Sequence, residues 1–138
     1  MEIAKAKRGL ESLSLLIVDL DHFKKINDSY GHLIWDKILK RLGFILQNGT
    51  RKYDIVSRFG GGEFIVLFPN TNLARAKKAS ERLRRKFQDD KEISKFKVTL
   101  SGGLTEYKKN DTLTRMKLRA DKALYKAKHN GRNCIETG

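Results

Sequence analysis

The stretch Gly60-Gly61-Gly62-Glu63-Phe64 lies between two strand-like runs, residues 53–59 and 64–68, and it decides the fold. Glycine accepts positive φ without steric cost, so three glycines between such runs predict a hairpin tip that carries one carboxylate and leaves its amides open to a phosphate. A second acidic group, Asp19-Leu20-Asp21, closes the continuous apolar run 13–18, which reads as a buried strand. Carboxylates delivered by two strand ends to one sheet rim suggest Mg²⁺ and a nucleotide.

Working outward, Ile38, Leu39, Leu42, Ile45 and Leu46 recur with helical period until Asn48-Gly49. Pro69-Asn70-Thr71 ends the second hairpin strand and opens a helix whose Leu73, Ala76, Leu83 and Phe87 face inward. Phe96, Val98 and Leu100 alternate as in a strand continuing toward Leu104. Leu113, Met116, Ala120, Ala123, Leu124 and Ala127 mark a last helix with Gly131 as its C-terminal cap, followed by a short strand around Cys134 and Ile135. This order is βαββαβ with an additional C-terminal helix: an α+β, ferredoxin-like antiparallel sheet with helices covering one side. Residues 1–10 and the Lys108-Lys109-Asn110 loop are the stretches expected to be disordered.

A chain of 138 residues that is 39% hydrophobic fits one domain, residues 1–138, with a core needing no disulfide or structural metal. The single cysteine, Cys134, excludes an intrachain disulfide, and Cys and His are too sparse for a zinc site. His22, His32 and His129 are expected to be structural or exposed. With no apolar run of membrane-span length and no signal-peptide core, the expected setting is cytoplasmic, without membrane contact. The net charge of +14, from 30 Lys and Arg against 16 Asp and Glu, will draw polyanions to the surface. Much of that excess falls in 75–86 and 115–128 at helical spacing, as on ordinary solvated helix faces, so no specific nucleic acid is expected.

Three blocks then act together: residues 19–32 (Asp-Leu-Asp-His-Phe-Lys-Lys-Ile-Asn-Asp-Ser-Tyr-Gly-His) with Asp36 beyond them, Arg58-Phe59-Gly60-Gly61-Gly62-Glu63-Phe64, and Ala120 to Lys128 with Gly131-Arg132-Asn133. In this order they resemble the GGDEF family of diguanylate cyclases. The resemblance implies the palm-type fold of nucleotide cyclases and polymerases, and condensation of two GTP into cyclic di-GMP and pyrophosphate between two domains of a homodimer. It also implies Mg²⁺ (or Mn²⁺) held by Asp19, the Leu20 carbonyl and Glu63, with Gly60, Gly61 and Gly62 forming the catalytic turn. Asn27 and Asp36 would bind guanine. Phe23, Lys24, Lys128 and Arg132 would line the substrate site, the three cations contacting phosphates. A carboxylate such as Asp36 suits the N–H edge of guanine, which adenine does not offer.

Three departures from the family pattern stand out. Its signature has Asp or Glu where this chain has Gly62, so a metal ligand is missing and turnover is expected to be weak or lost. Met1 falls inside what would be the family's opening helix, so the chain is expected to be an N-terminally truncated fragment of a larger signalling protein. Trp35 stands where the family has small residues and is expected to pack at the helix start. Arg51-Lys52-Tyr53-Asp54 matches the family's Arg-x-x-Asp product-inhibition site for cyclic di-GMP: Arg can pair with guanine O6 and N7 while Asp accepts from N1 and N2. A cyclase of weak or lost activity and a binding module for cyclic di-GMP or GTP acting through Arg51 and Asp54 both remain open. An RNA-binding domain ranks third, because the aromatics flanking the turn also suit core packing.

Overall fold

Strand β1 (Leu13–Leu20) is the middle of the sheet in the computed structural model, which describes residues 12–138. It is followed by helices α1 (Phe23–Tyr30) and α2 (His32–Gly49), the hairpin β2 (Ile55–Arg58) and β3 (Glu63–Pro69), and helix α3 (Leu73–Gln88). A 3₁₀ turn (Ser94–Phe96), β4 (Leu100–Glu106), α4 (Leu113–His129) and β5 (Ile135–Thr137) complete the chain. The strand order is β2-β3-β1-β4-β5. The first four strands are antiparallel neighbours, as expected of a ferredoxin-like plan, but β5 joins β4 in parallel and makes the sheet mixed.

That parallel pairing requires a crossover, supplied by α4, and the crossover puts α4 on the face opposite the other helices. Leu16, Val18 and Leu20 pack with Ile38, Leu42, Leu46, Leu83 and Phe87 on one side. Leu13, Leu15, Ile17 and Ile65 pack against Met116, Ala120 and Leu124 on the other. Helices therefore cover both sides of the sheet, not the one side expected. This explains the unbroken apolar sequence of β1, since neither of its faces meets water. At Gly103 the helix lies directly on the strand: an added Cβ would sit 2.0 Å from the Ala120 carbonyl oxygen and 2.4 Å from the Leu124 nitrogen.

Local signals account for the element ends. The Asn72 side chain accepts from the Arg75 N–H and caps α3. Gly131, at φ 102°, lets the Arg132 N–H return to the Ala127 carbonyl at 3.0 Å, the closure expected of a C-terminal glycine cap. Helix α1 was not foreseen, because it buries only Ile26 and gives little apolar periodicity. The alternation at Phe96 and Val98 belongs to the 3₁₀ turn and its exit, so β4 begins at Leu100. The Lys108-Lys109-Asn110 loop, expected to be disordered, is instead closed by Asp111, whose side chain accepts from the Lys108 N–H at 2.8 Å. The disorder expected at 1–10 and the family's opening helix lie outside the described residues.

Candidate active-site rim and nucleotide corner

The register of β1 on β3 places Asp19 directly opposite Glu63, so the two carboxylates share one sheet rim. The hairpin tip is closed by the Phe59 N–H donating to the Glu63 carbonyl at 2.8 Å, with Gly60 at φ 75°, a conformation that favours glycine. Burial pushes the Asp19 carboxyl above its ordinary pKa, with Lys128 acting against the shift and Asp21 adding to it. Glu63 is pushed up first by burial and then by the nearby charges of Asp19 and Asp121. Burial is the larger cause of both shifts, and Lys128 opposes them. Gly62 adjoins Asp19, so the missing signature acid would have stood beside these two carboxylates.

Asp21, two residues along, is spent on structure. It is fully buried and accepts from Thr99 Oγ1 at 2.6 Å, Ser101 Oγ at 2.8 Å, Lys128 Nζ at 2.8 Å and the Asn133 N–H at 3.1 Å. Burial alone would raise its pKa, but the hydrogen bonds from Lys128, Thr99 and Ser101 prevail and hold it below the usual carboxylate range. The same Lys128 ammonium donates to the Leu20 carbonyl at 3.0 Å and lies 3.5 Å from Asp19 Oδ2. A side chain expected on phosphate therefore covers a carbonyl expected on metal.

The remaining residues expected on substrate fall into two groups. Phe23, Lys24 and Arg132 line one open cleft of about 460 Å³ with His22, Lys25 and Asp28. Asn27 stands on α1 with its Oδ1 buried and without a hydrogen-bond partner, an acceptor free for a base N–H. Asp36 is exposed, one turn inside α2. His22, His32 and His129 are all exposed.

A second site forms at the far end of the hairpin. The Asp54 side chain, 3% exposed, accepts from the Arg51 N–H at 2.8 Å through Oδ2, whereas its buried Oδ1 has no partner. The Arg51 guanidinium lies 3.6 Å from that carboxylate, bonds the Thr71 hydroxyl and stays half exposed. These residues line a cleft of about 270 Å³ to which α3 contributes Arg75, Lys78 and Arg82. The three α3 cations were not foreseen as part of the site. In sequence they look like any solvated helix face.

Asp19 and Glu63 are the side chains here that could hold a divalent ion. Among the described residues no three His, Cys, Asp or Glu side chains converge as a metal cluster, and Lys128 covers the Leu20 carbonyl. The donors present do not make up the metal centre of Asp19, the Leu20 carbonyl and Glu63 that the resemblance implies.

Comparison with known proteins places the chain by family and fold. Residues 1–134 match the sequence profile of the family described as "Diguanylate cyclase, GGDEF domain". Diguanylate cyclase DgcP of Pseudomonas aeruginosa is 40% identical over 138 residues, which are 98% of this chain and 21% of that protein. Diguanylate cyclase A of Treponema denticola is 40% identical over 129 residues, 91% of this chain and 35% of that protein. The chain thus spans about a fifth to a third of these two relatives. Among solved structures, the active GGEEF domain of a diguanylate cyclase from Vibrio cholerae superposes with a TM-score of 0.91 at 33% identity, covering 99% of this chain and 88% of that one. The GGDEF domain of DgcB from Caulobacter crescentus, in complex with c-di-GMP, gives 0.90 at 28% identity, covering 99% and 83%. The Vibrio signature carries Glu where this chain has Gly62.

Proposed function

The chain belongs to the GGDEF domain family of diguanylate cyclases, and from that premise we propose that it is a degenerate member that binds cyclic di-GMP at Arg51 and Asp54, with condensation of GTP weak or lost. Residues 1–138 act as one GGDEF-type unit. The observation that carries this reading is the unpartnered Oδ1 of Asp54, a buried acceptor beside a half-exposed arginine. A buried acceptor left unpaired costs about 1–3 kcal/mol, which a guanine N1–H or N2–H would recover. Arg51 supplies donors for O6 and N7 of the same base, and Arg75, Lys78 and Arg82 supply cations for the phosphates. Calorimetry with cyclic di-GMP tests this: Arg51→Ala is expected to weaken binding about tenfold or more, and equal affinities in the two proteins would remove the site.

Cyclases of this family depend on divalent metal, and two domains each holding one GTP must face each other for the reaction. Of that apparatus the chain keeps Asp19 and Glu63 on the rim, Lys24 and Arg132 with Phe23 in one cleft, and the free Asn27 acceptor. These support a second reading, retained GTP binding without efficient turnover. Incubation with GTP and Mg²⁺ at high protein concentration, followed by product separation, decides how much chemistry is left.

A further inference from the structure

Gly62 lacks a conformational reason to be glycine. Positive φ in the hairpin tip is confined to Gly60, so the backbone at 62 would accept a side chain. Its neighbours stand close on two sides. An added Cβ at 62 would stand 3.3 Å from Asp19 Oδ1, 3.4 Å from Trp35 Cζ2 and 3.9 Å from Leu39 Cδ2. Its position is therefore bounded by a carboxylate and by the edge of an indole. Trp35 cannot swing aside freely. It is 6% exposed, belongs to the core cluster with Ile38, Leu39 and Phe64, and holds the Phe23 ring edge-to-face at 4.7 Å. At that exposure the indole offers no face on which a base could stack, so it acts as filler and not as a binding platform.

We propose that Trp35 and Gly62 form one coupled device in which the indole closes the rim: it occupies the volume and removes the water that a carboxylate at 62 needs beside Asp19, so that the capacity of the rim for a divalent cation is set by Trp35 as much as by position 62. The inference rests on the reading of the rim as a degenerate cation site. Its physical basis is that a carboxylate at 62 would meet C–H groups of the indole on one side and the like charge of Asp19 on the other, both unfavourable in a partly buried place. Restoring the acid alone therefore yields a crowded, poorly hydrated carboxylate and not a ligand. Truncating Trp35 opens room for the side chain, for metal-bound water and for Phe23 to adjust.

The test is a double-mutant cycle of Gly62→Asp and Trp35→Ala, read by thermal melting and by Mn²⁺ titration followed through the EPR signal of the free ion. Should Trp35→Ala fail to fold, Trp35→Leu, apolar and smaller than the indole, takes its place. The expected result is that Gly62→Asp lowers the melting temperature more in the parent than in the truncated background. Gly62→Asp alone and Trp35→Ala alone should leave the Mn²⁺ affinity at the parent's value while the double variant binds about tenfold tighter or better, a coupling of about 1.4 kcal/mol or more. Equal Mn²⁺ gain in the single and double variants overturns the role of Trp35 and leaves the rim a cation site. Coupled melting without any Mn²⁺ gain in the double variant overturns the cation-site reading and this proposal with it. Additive melting together with a Mn²⁺ gain confined to the double variant overturns the steric basis, because then the two side chains do not meet.

Discussion

The two ends of the β2–β3 hairpin carry comparable sets of acid and base, yet they have been left in opposite conditions. At the glycine tip, Asp19 and Glu63 face each other across a strand pair, the signature acid is absent, and Lys128 is already engaged by Asp21 and the Leu20 carbonyl. At the base, Arg51 keeps an exposed guanidinium and Asp54 an unused acceptor, with three cations from α3 alongside. The tip has spent its lysine on Asp21 and the Leu20 carbonyl and lost a ligand, whereas the base still has bonds to offer. A nucleotide site can thus lose its chemistry at one end and keep recognition at the other, because a hairpin about four residues long on each strand holds the two ends apart.

The largest effect expected from disturbing this contrast is at Asp21. Asp21→Ala leaves Thr99, Ser101, Lys128 and the Asn133 amide without their shared acceptor, and a buried ion pair broken on one side costs about 3 kcal/mol. Chemical denaturation reads it. Because the folded pKa of Asp21 is depressed, its contribution is present above the ordinary carboxylate range and lost as pH falls through the folded value. The difference between parent and variant should accordingly shrink in acid. A gap as wide in acid as at neutrality would mean that Asp21 acts through packing and not through charge.

A smaller effect sharpens the other end. Thr71 accepts from Arg51 and donates to the Pro69 carbonyl at 2.8 Å, so Thr71→Val frees the guanidinium to wander. The cost in cyclic di-GMP binding is expected to be about 1 kcal/mol, near fivefold, with the affinity of the rim for Mn²⁺ unchanged. Loss at both ends would erase the distinction drawn between them.

The smallest concerns Glu63. Its folded pKa is raised, so the charged form carries a stability penalty that is complete above that value and relieved as pH falls below the ordinary glutamate range. Glu63→Gln should raise the melting temperature at neutral pH by about 2 °C and lose that advantage in acid. A melting temperature that drops at neutral pH would show that Glu63 is held by favourable contacts and is not a strained ligand waiting for a cation.

Much of this was open to inspection along the chain. The apolar run ending at Asp19, the glycine tip and the cap at Gly131 are local signals, and the structure puts them where local physics does. What escaped was long-range. Asp21 finds its partners 78 to 112 positions away, so its diversion from the rim has no local trace. Trp35 and Gly62 meet from different elements, and the role of the tryptophan shows only once the hairpin lies over α2. Helix α1 hid because seven of its eight residues are not buried, and the sided arrangement of helices hid because a parallel final strand of three residues decides it.

The bare backbone of Gly103 has one more consequence. With no side chain between them, α4 rests on β4 like an axle in its bearing, and Lys128 projects from that axle about 12 Å beyond the Ala120 carbonyl that touches the strand. Lifting or rolling the axle would draw the ammonium from Asp19, Asp21 and the Leu20 carbonyl in a single stroke. Mechanical displacement of that one rod would change the charge at the tip of the hairpin.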